Sequence, residues 1–90
     1  MIWKDTTSYS RGERDNVEPR EWSAEADGLL IQVHRMHGCD GWFGTCYAMG
    51  VERKELGHDI ERARHGMLIY LRNRAKRWTE KIDKLLGGAS

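Results

Sequence analysis

Apolar and polar positions alternate on both sides of Asp27-Gly28. In a two-residue turn, Ala26, Ala24 and Trp22 oppose Leu29, Ile31 and Val33, while Glu25, Ser23 and Glu21 oppose Leu30, Gln32 and His34. This predicts a hairpin with one dry face and one wet face, because successive strand residues point to opposite sides. Pro19 opens the first strand, which runs to Ala26, and the second covers Leu29 to Met36. A further turn at Asp40-Gly41 leads into Trp42 to Met49, which completes a three-stranded antiparallel meander. Ile2 to Tyr9, with Trp3, Thr6, Thr7 and Tyr9, suits an additional edge strand before the polar stretch Ser10 to Asn16. Val51 to Leu56 fits a short extra strand or one helical turn equally by pattern and reads as a connection.

From Asp59 the period changes. Ile60, Ala63, Met67, Leu71, Ala75, Trp78, Ile82 and Leu85 recur at spacings of three and four, the signature of a helix with one apolar stripe. Asp59 suits the N-cap and Gly87-Gly88 a stop. A helix over 59–86 would be roughly 42 Å long at about 1.5 Å per residue, whereas strands of five or six residues span only about 17–20 Å. The sheet therefore cannot cover the whole stripe. Trp78, Ile82 and Leu85, with Leu86, must pack under the Ile2-Trp3 segment, pair with a second copy as a homodimer, or bend back. The expected fold class is α+β: an antiparallel sheet of three or four strands against one long C-terminal helix. It forms one domain over 1–90, with an N-terminal strand and loop (1–16), a meander (18–50) and a helix (59–86).

The chain has 90 residues, a net charge of +1 and four Trp. That length supports one modest core, and its apolar anchors argue against disorder. The near-neutral total conceals an asymmetry: residues 1–57 hold seven Lys/Arg against ten Asp/Glu, and 58–90 hold eight against four. The helix is the basic element. No apolar leader and no stretch near 18 uninterrupted apolar residues is present, so the cytosol is expected, with both Cys reduced and no membrane partner.

His34, His37, Cys39 and Cys46 suit zinc by residue type. Strand geometry opposes a joint site, since His34 and His37 have opposite parity on one strand, and a two-residue Asp40-Gly41 turn places Cys46 opposite Arg35. Neither a metal nor another cofactor is expected. The chain lacks a Gly-x-Ser-x-Gly elbow, a Walker loop and a Gly-x-Gly-x-x-Gly run after a strand, and the same parity separates a Cys46 nucleophile from a His34 base. A non-enzymatic role is expected.

What remains is surface. Trp42, Gly44, Cys46 and Ala48 are expected to face the helix, with Phe43, Thr45, Tyr47 and Met49 outward beside Leu30, Gln32, His34 and Met36. Gln32, His34, Met36, Phe43, Thr45 and Tyr47 are thus the candidate partner-binding residues, unless the N-terminal strand or a second copy covers them. The basic helix flank, Arg62, Arg72, Lys76, Arg77 and Lys84, is the candidate nucleic-acid contact.

The meander, with Leu29-Leu30-Ile31-Gln32-Val33-His34 and then Gly41-Trp42-Phe43, followed by a helix with Asp59-Ile60-Glu61-Arg62-Ala63-Arg64, resembles the amino-terminal DNA-binding domain of phage integrases and their plant AP2 relatives. The likeness lies in element order and spans roughly residues 20–75. It implies a sheet face that enters the major groove, but here that face carries Glu21, Glu25, Leu30 and Phe43, and carboxylates repel phosphates. In size and plan the chain is also similar to small phage and prophage accessory proteins, among them anti-CRISPR and other anti-defence inhibitors. That resemblance implies a stoichiometric binder that blocks a host protein or nucleoprotein complex. A small DNA-binding accessory factor using the basic helix is the alternative.

Overall fold

A computed structural model describes residues 3–9, 18–35 and 40–88. Five strands form one antiparallel sheet in sequential order: β1 (Lys4–Asp5), β2 (Glu21–Ala26), β3 (Leu29–Arg35), β4 (Trp42–Cys46) and β5 (Val51–Gly57). A short 3-10 turn, Tyr47–Met49, joins β4 to β5, and one helix, α1 (Ile60–Gly88), follows. The α+β class is as expected, with one strand more than the upper estimate.

The first hairpin has the register expected from its alternation, with Trp22 opposite Val33, Ala24 opposite Ile31 and Ala26 opposite Leu29. Asp27 (φ 48°) and Gly28 (φ 85°) both adopt left-handed backbone. A two-residue turn with that geometry matches the twist of the strands it joins. Of the expected strand Ile2 to Tyr9, Ile2 lies outside the described residues, and of the rest only Lys4–Asp5 is strand. Thr7 ends it: its amide donates to Asp5 Oδ1 at 3.0 Å, a local turn, while its hydroxyl accepts from the amides of Arg20 (2.8 Å) and Glu21 (2.9 Å).

The second hairpin keeps its faces but not its register. Arg35 opposes Trp42 and His34 opposes Phe43, so the two strands are not joined by a two-residue turn at Asp40-Gly41. The shift is an even number of residues, and each side chain therefore stays on the expected side. Trp42, Gly44 and Cys46 face α1, whereas Ala48 lies in the 3-10 turn, which ends β4 before Tyr47 and Met49.

Val51–Gly57 is a full edge strand and not a connection. Its pattern is hidden by a bulge: Cys46 pairs with Val51 but Gly44 with Lys54, so Thr45 faces two residues, Glu52 and Arg53. Arg53 sits at φ 52°, and its amide donates to Thr45 Oγ1 at 3.4 Å. The extra residue changes the phase of alternation, which turns Val51, Lys54 and Leu56 inward despite their unequal spacing. Lys54, a charge on an edge strand, places its ammonium 4.8 Å from the Tyr70 ring centre.

Asp59 caps α1, with its Oδ1 accepting from the amides of Glu61 (2.9 Å) and Arg62 (3.3 Å). The helix continues through Gly88 and does not stop at Gly87. Ala63, Met67 and Leu71 bury against Ile31, Val33, Trp42, Cys46 and Val51. Trp22 packs at the edge of this core beneath the Arg64 guanidinium, 5.0 Å away. Among the described residues no helix is long and apolar enough to cross a membrane.

Candidate functional site

The sheet and the helix leave two surfaces. The first is the sheet face turned away from α1. Lys4, Ser23, Gln32 and Thr45 lie in one cross-strand row, with Glu21, His34, Phe43 and Glu55 in the next. Gln32, His34, Phe43 and Thr45 are therefore brought together. Ser23 and Thr45 are buried although they lie on this side, because Thr6 shares a 2.8 Å hydrogen bond with the Ser23 hydroxyl and His34 Nε2 lies 3.2 Å from Thr45 Oγ1. Partial burial holds the His34 pKa below its ordinary value of 6.5; the Glu21 carboxylate partly offsets this and Arg53 reinforces it. Phe43 is half-buried, 6.3 Å from the His34 ring, and Leu30 is the large apolar side chain exposed on this face. Tyr47 is not a member of the strand row: it sits on the 3-10 turn beyond β4 and is exposed. Met36 lies outside the described residues.

His37 and Cys39 also lie outside the described residues. His34 and Cys46 occupy opposite sides of the sheet, Cys46 being buried beneath α1, so these two neither share a metal nor form a nucleophile and base. Among the described residues no cluster of three or more His, Cys, Asp or Glu side chains is placed to hold a metal.

The second surface is the free end of α1. The helix has 29 residues, about 43 Å at 1.5 Å per residue, and the molecule extends 62 Å in its longest direction against 25 and 19 Å in the others. Its last anchorage to the sheet is at Arg74, whose Nε donates to the Met49 carbonyl at 3.1 Å. Every residue from 75 to 88 is exposed. Trp78 is 52% exposed, Ile82 55%, Leu85 74% and Leu86 71%. Trp3 does not cover them: it lies on the early turns of α1, beside Glu61, Arg64, His65 and Leu68, and Ile2 lies outside the described residues. Nor does the helix bend back. The exposed apolar stripe is thus the direct continuation of the stripe that packs on the sheet, as expected from its spacing.

Arg62, Arg72, Lys76, Arg77 and Lys84 are all exposed on α1. Two further cations of residues 72–88 were not singled out from sequence. Arg74 and Lys81 flank the apolar stripe directly, and Lys81 Nζ lies 4.7 Å from the Trp78 ring centre. Arg74, Arg77, Lys81 and Lys84 follow the apolar positions one step out of phase, and of this row Arg77 and Lys84 were legible as part of the basic flank. No family model, curated protein or solved structure matches this chain.

Proposed function

We propose that the chain is a non-enzymatic binding protein of the phage-inhibitor type, which seats on a host protein or nucleoprotein complex and blocks a surface there, with the free end of α1 as its principal contact. The observation that supports this is the exposure of Trp78, Ile82, Leu85 and Leu86 on one stripe beyond the sheet. Contiguous apolar side chains rimmed by charge are costly to leave in water and are characteristic of contact surfaces. The open sheet face, with Leu30, Gln32, His34, Phe43 and Thr45, offers a smaller secondary contact.

The test is capture of partners from a nuclease-treated bacterial lysate, compared between the wild-type chain and Ile82→Lys. The substituted side chain is exposed, so folding is retained. A defined protein held by the wild type and lost with Ile82→Lys supports the reading. A second reading, a DNA-binding accessory factor, draws on the exposed Arg62, Arg72, Lys76, Arg77 and Lys84. It predicts retained nucleic acid that is released steeply by salt, weakened by Arg72→Ala and Lys76→Ala, and indifferent to Ile82→Lys.

A further inference from the structure

Resting on the reading of α1 as a contact element, we infer that the free end of the helix takes a partner helix whose apolar seam is flanked by carboxylates, seated in the notch between α1 and the end of the sheet. Three features of the molecule select this occupant.

The first is the notch. Trp78, Ile82 and Leu85 continue the stripe of Ala63, Met67 and Leu71, which rests on the sheet. The apolar side of the overhang therefore looks toward the same side as the sheet itself, which stands beside it as a step. Layers of secondary structure pack about 10 Å apart, and the overhang of residues 75–88 is about 21 Å long. A helix fits beneath it, in line with the sheet layer, ending against the Tyr47–Met49 turn that Arg74 ties to α1. A flat lipid surface cannot reach the stripe along its length, because the sheet stands in the way.

The second is the repeat. Ala75, Trp78, Ile82 and Leu85 fall at spacings of three, four and three, the a and d positions of a helix-pairing seam. The seam is built to pair with another helix.

The third is charge. Residues 72–88 carry six Lys/Arg against Glu80 and Asp83. The positions beside the seam are Arg74, Lys81 and Gly88 on one flank and Arg72, Thr79 and Leu86 on the other, and neither flank holds a carboxylate. Flanking charges set the choice of partner in paired helices. An antiparallel second copy would set Arg74 and Lys81 against each other, and a parallel one would set them against Thr79 and Leu86, so neither supplies a carboxylate, whereas Glu or Asp beside the partner's seam would meet Arg72, Arg74 and Lys81.

The test uses the full chain and two synthetic amphipathic helical peptides with the same Ile/Leu seam, one flanked by Glu and one by Lys, measured by calorimetry at low salt. The Glu peptide is expected to bind in the range of about 10 µM, at least about tenfold tighter than the Lys peptide. Ile82→Lys should weaken it about tenfold or more, and Lys81→Glu should narrow the preference between the peptides. Equal affinities, or no binding of the Glu peptide at about 200 µM to a chain whose circular dichroism is native, would overturn the inference. So would a sedimenting dimer of the chain alone that Ile82→Lys dissociates, since a second copy would then be the occupant. Binding to phosphatidylglycerol vesicles in preference to the Glu peptide would do the same. If the peptide fails while Ile82→Lys still abolishes capture from lysate, the partner chemistry is wrong and the binding role stands; if capture is unchanged, the binding role of the helix end falls.

Discussion

Gly44 shows how closely single residues are constrained. A Cβ built there would lie 2.3 Å from Met67 Sδ and 2.9 Å from Leu56 Cδ1, and Met67 is fully buried. The strand therefore needs glycine because α1 rests on it, and not because of its backbone angles. Gly44→Ala is expected to cost about 1–3 kcal/mol in urea unfolding, from displacement of two packed side chains. His34 gives a second expectation. Its folded pKa is depressed, chiefly by desolvation, so below its ordinary value of 6.5 the unfolded chain binds the proton more readily than the folded one. Stability should then fall as pH drops through that value toward the folded pKa, and should do so less in His34→Gln. A stability unchanged from neutral to mildly acidic pH in the wild type would contradict the partial burial of the ring.

At the level of elements, each boundary has a local cause. Asp27-Gly28 sets the first hairpin, Thr7 ends β1, the Arg53 bulge re-aims β5 and Asp59 starts α1. Asp59→Ala should lose about 1 kcal/mol, within a range of about 0.5–2, as the cap to the Glu61 and Arg62 amides disappears. Thermal unfolding at neutral pH measures it directly; no change would mean that water replaces the cap without cost. The hairpin and the cap were legible because turn and capping chemistry is local. Strand β5 was not, because its inward residues Val51, Lys54 and Leu56 follow no single period once the bulge is inserted. The register of the second hairpin was not legible for a related reason: Asp40-Gly41 has turn chemistry, but the ladder ends at the pairing of Arg35 with Trp42.

Across the whole molecule, the sheet and the first half of α1 form one packed unit, and the second half of α1 extends from it. Residues to Arg74 are held by the buried Met67 and Leu71 and by the bond from Arg74 to Met49. Residues 75–88 lie beyond the sheet and are exposed throughout, and short isolated helices are marginal in water. Amide exchange should therefore be slow from Ala63 to Leu71 and much faster from Lys76 to Leu86, with the boundary near Arg74. Binding of a partner in the notch should slow the second group toward the first. Uniform protection along α1 in the free chain would show that something already covers its end.

The sequence by itself determined the first hairpin, its register and its two faces, and the helix and its cap, because period, turn residues and capping oxygens act over a few positions. It also carried the stripe that outruns the sheet, since rise per residue differs so much between helix and strand. Only the tertiary structure decided the rest. The pairing of Arg35 with Trp42 and the bulge at Arg53 depend on partners distant in the chain. The limited exposure of Phe43, the separation of Tyr47 from the sheet face and the bare Trp78, Ile82 and Leu85 depend on which surfaces meet. The notch follows from the same contacts: it exists because the sheet layer stops at the Tyr47–Met49 turn and the helix runs on past it.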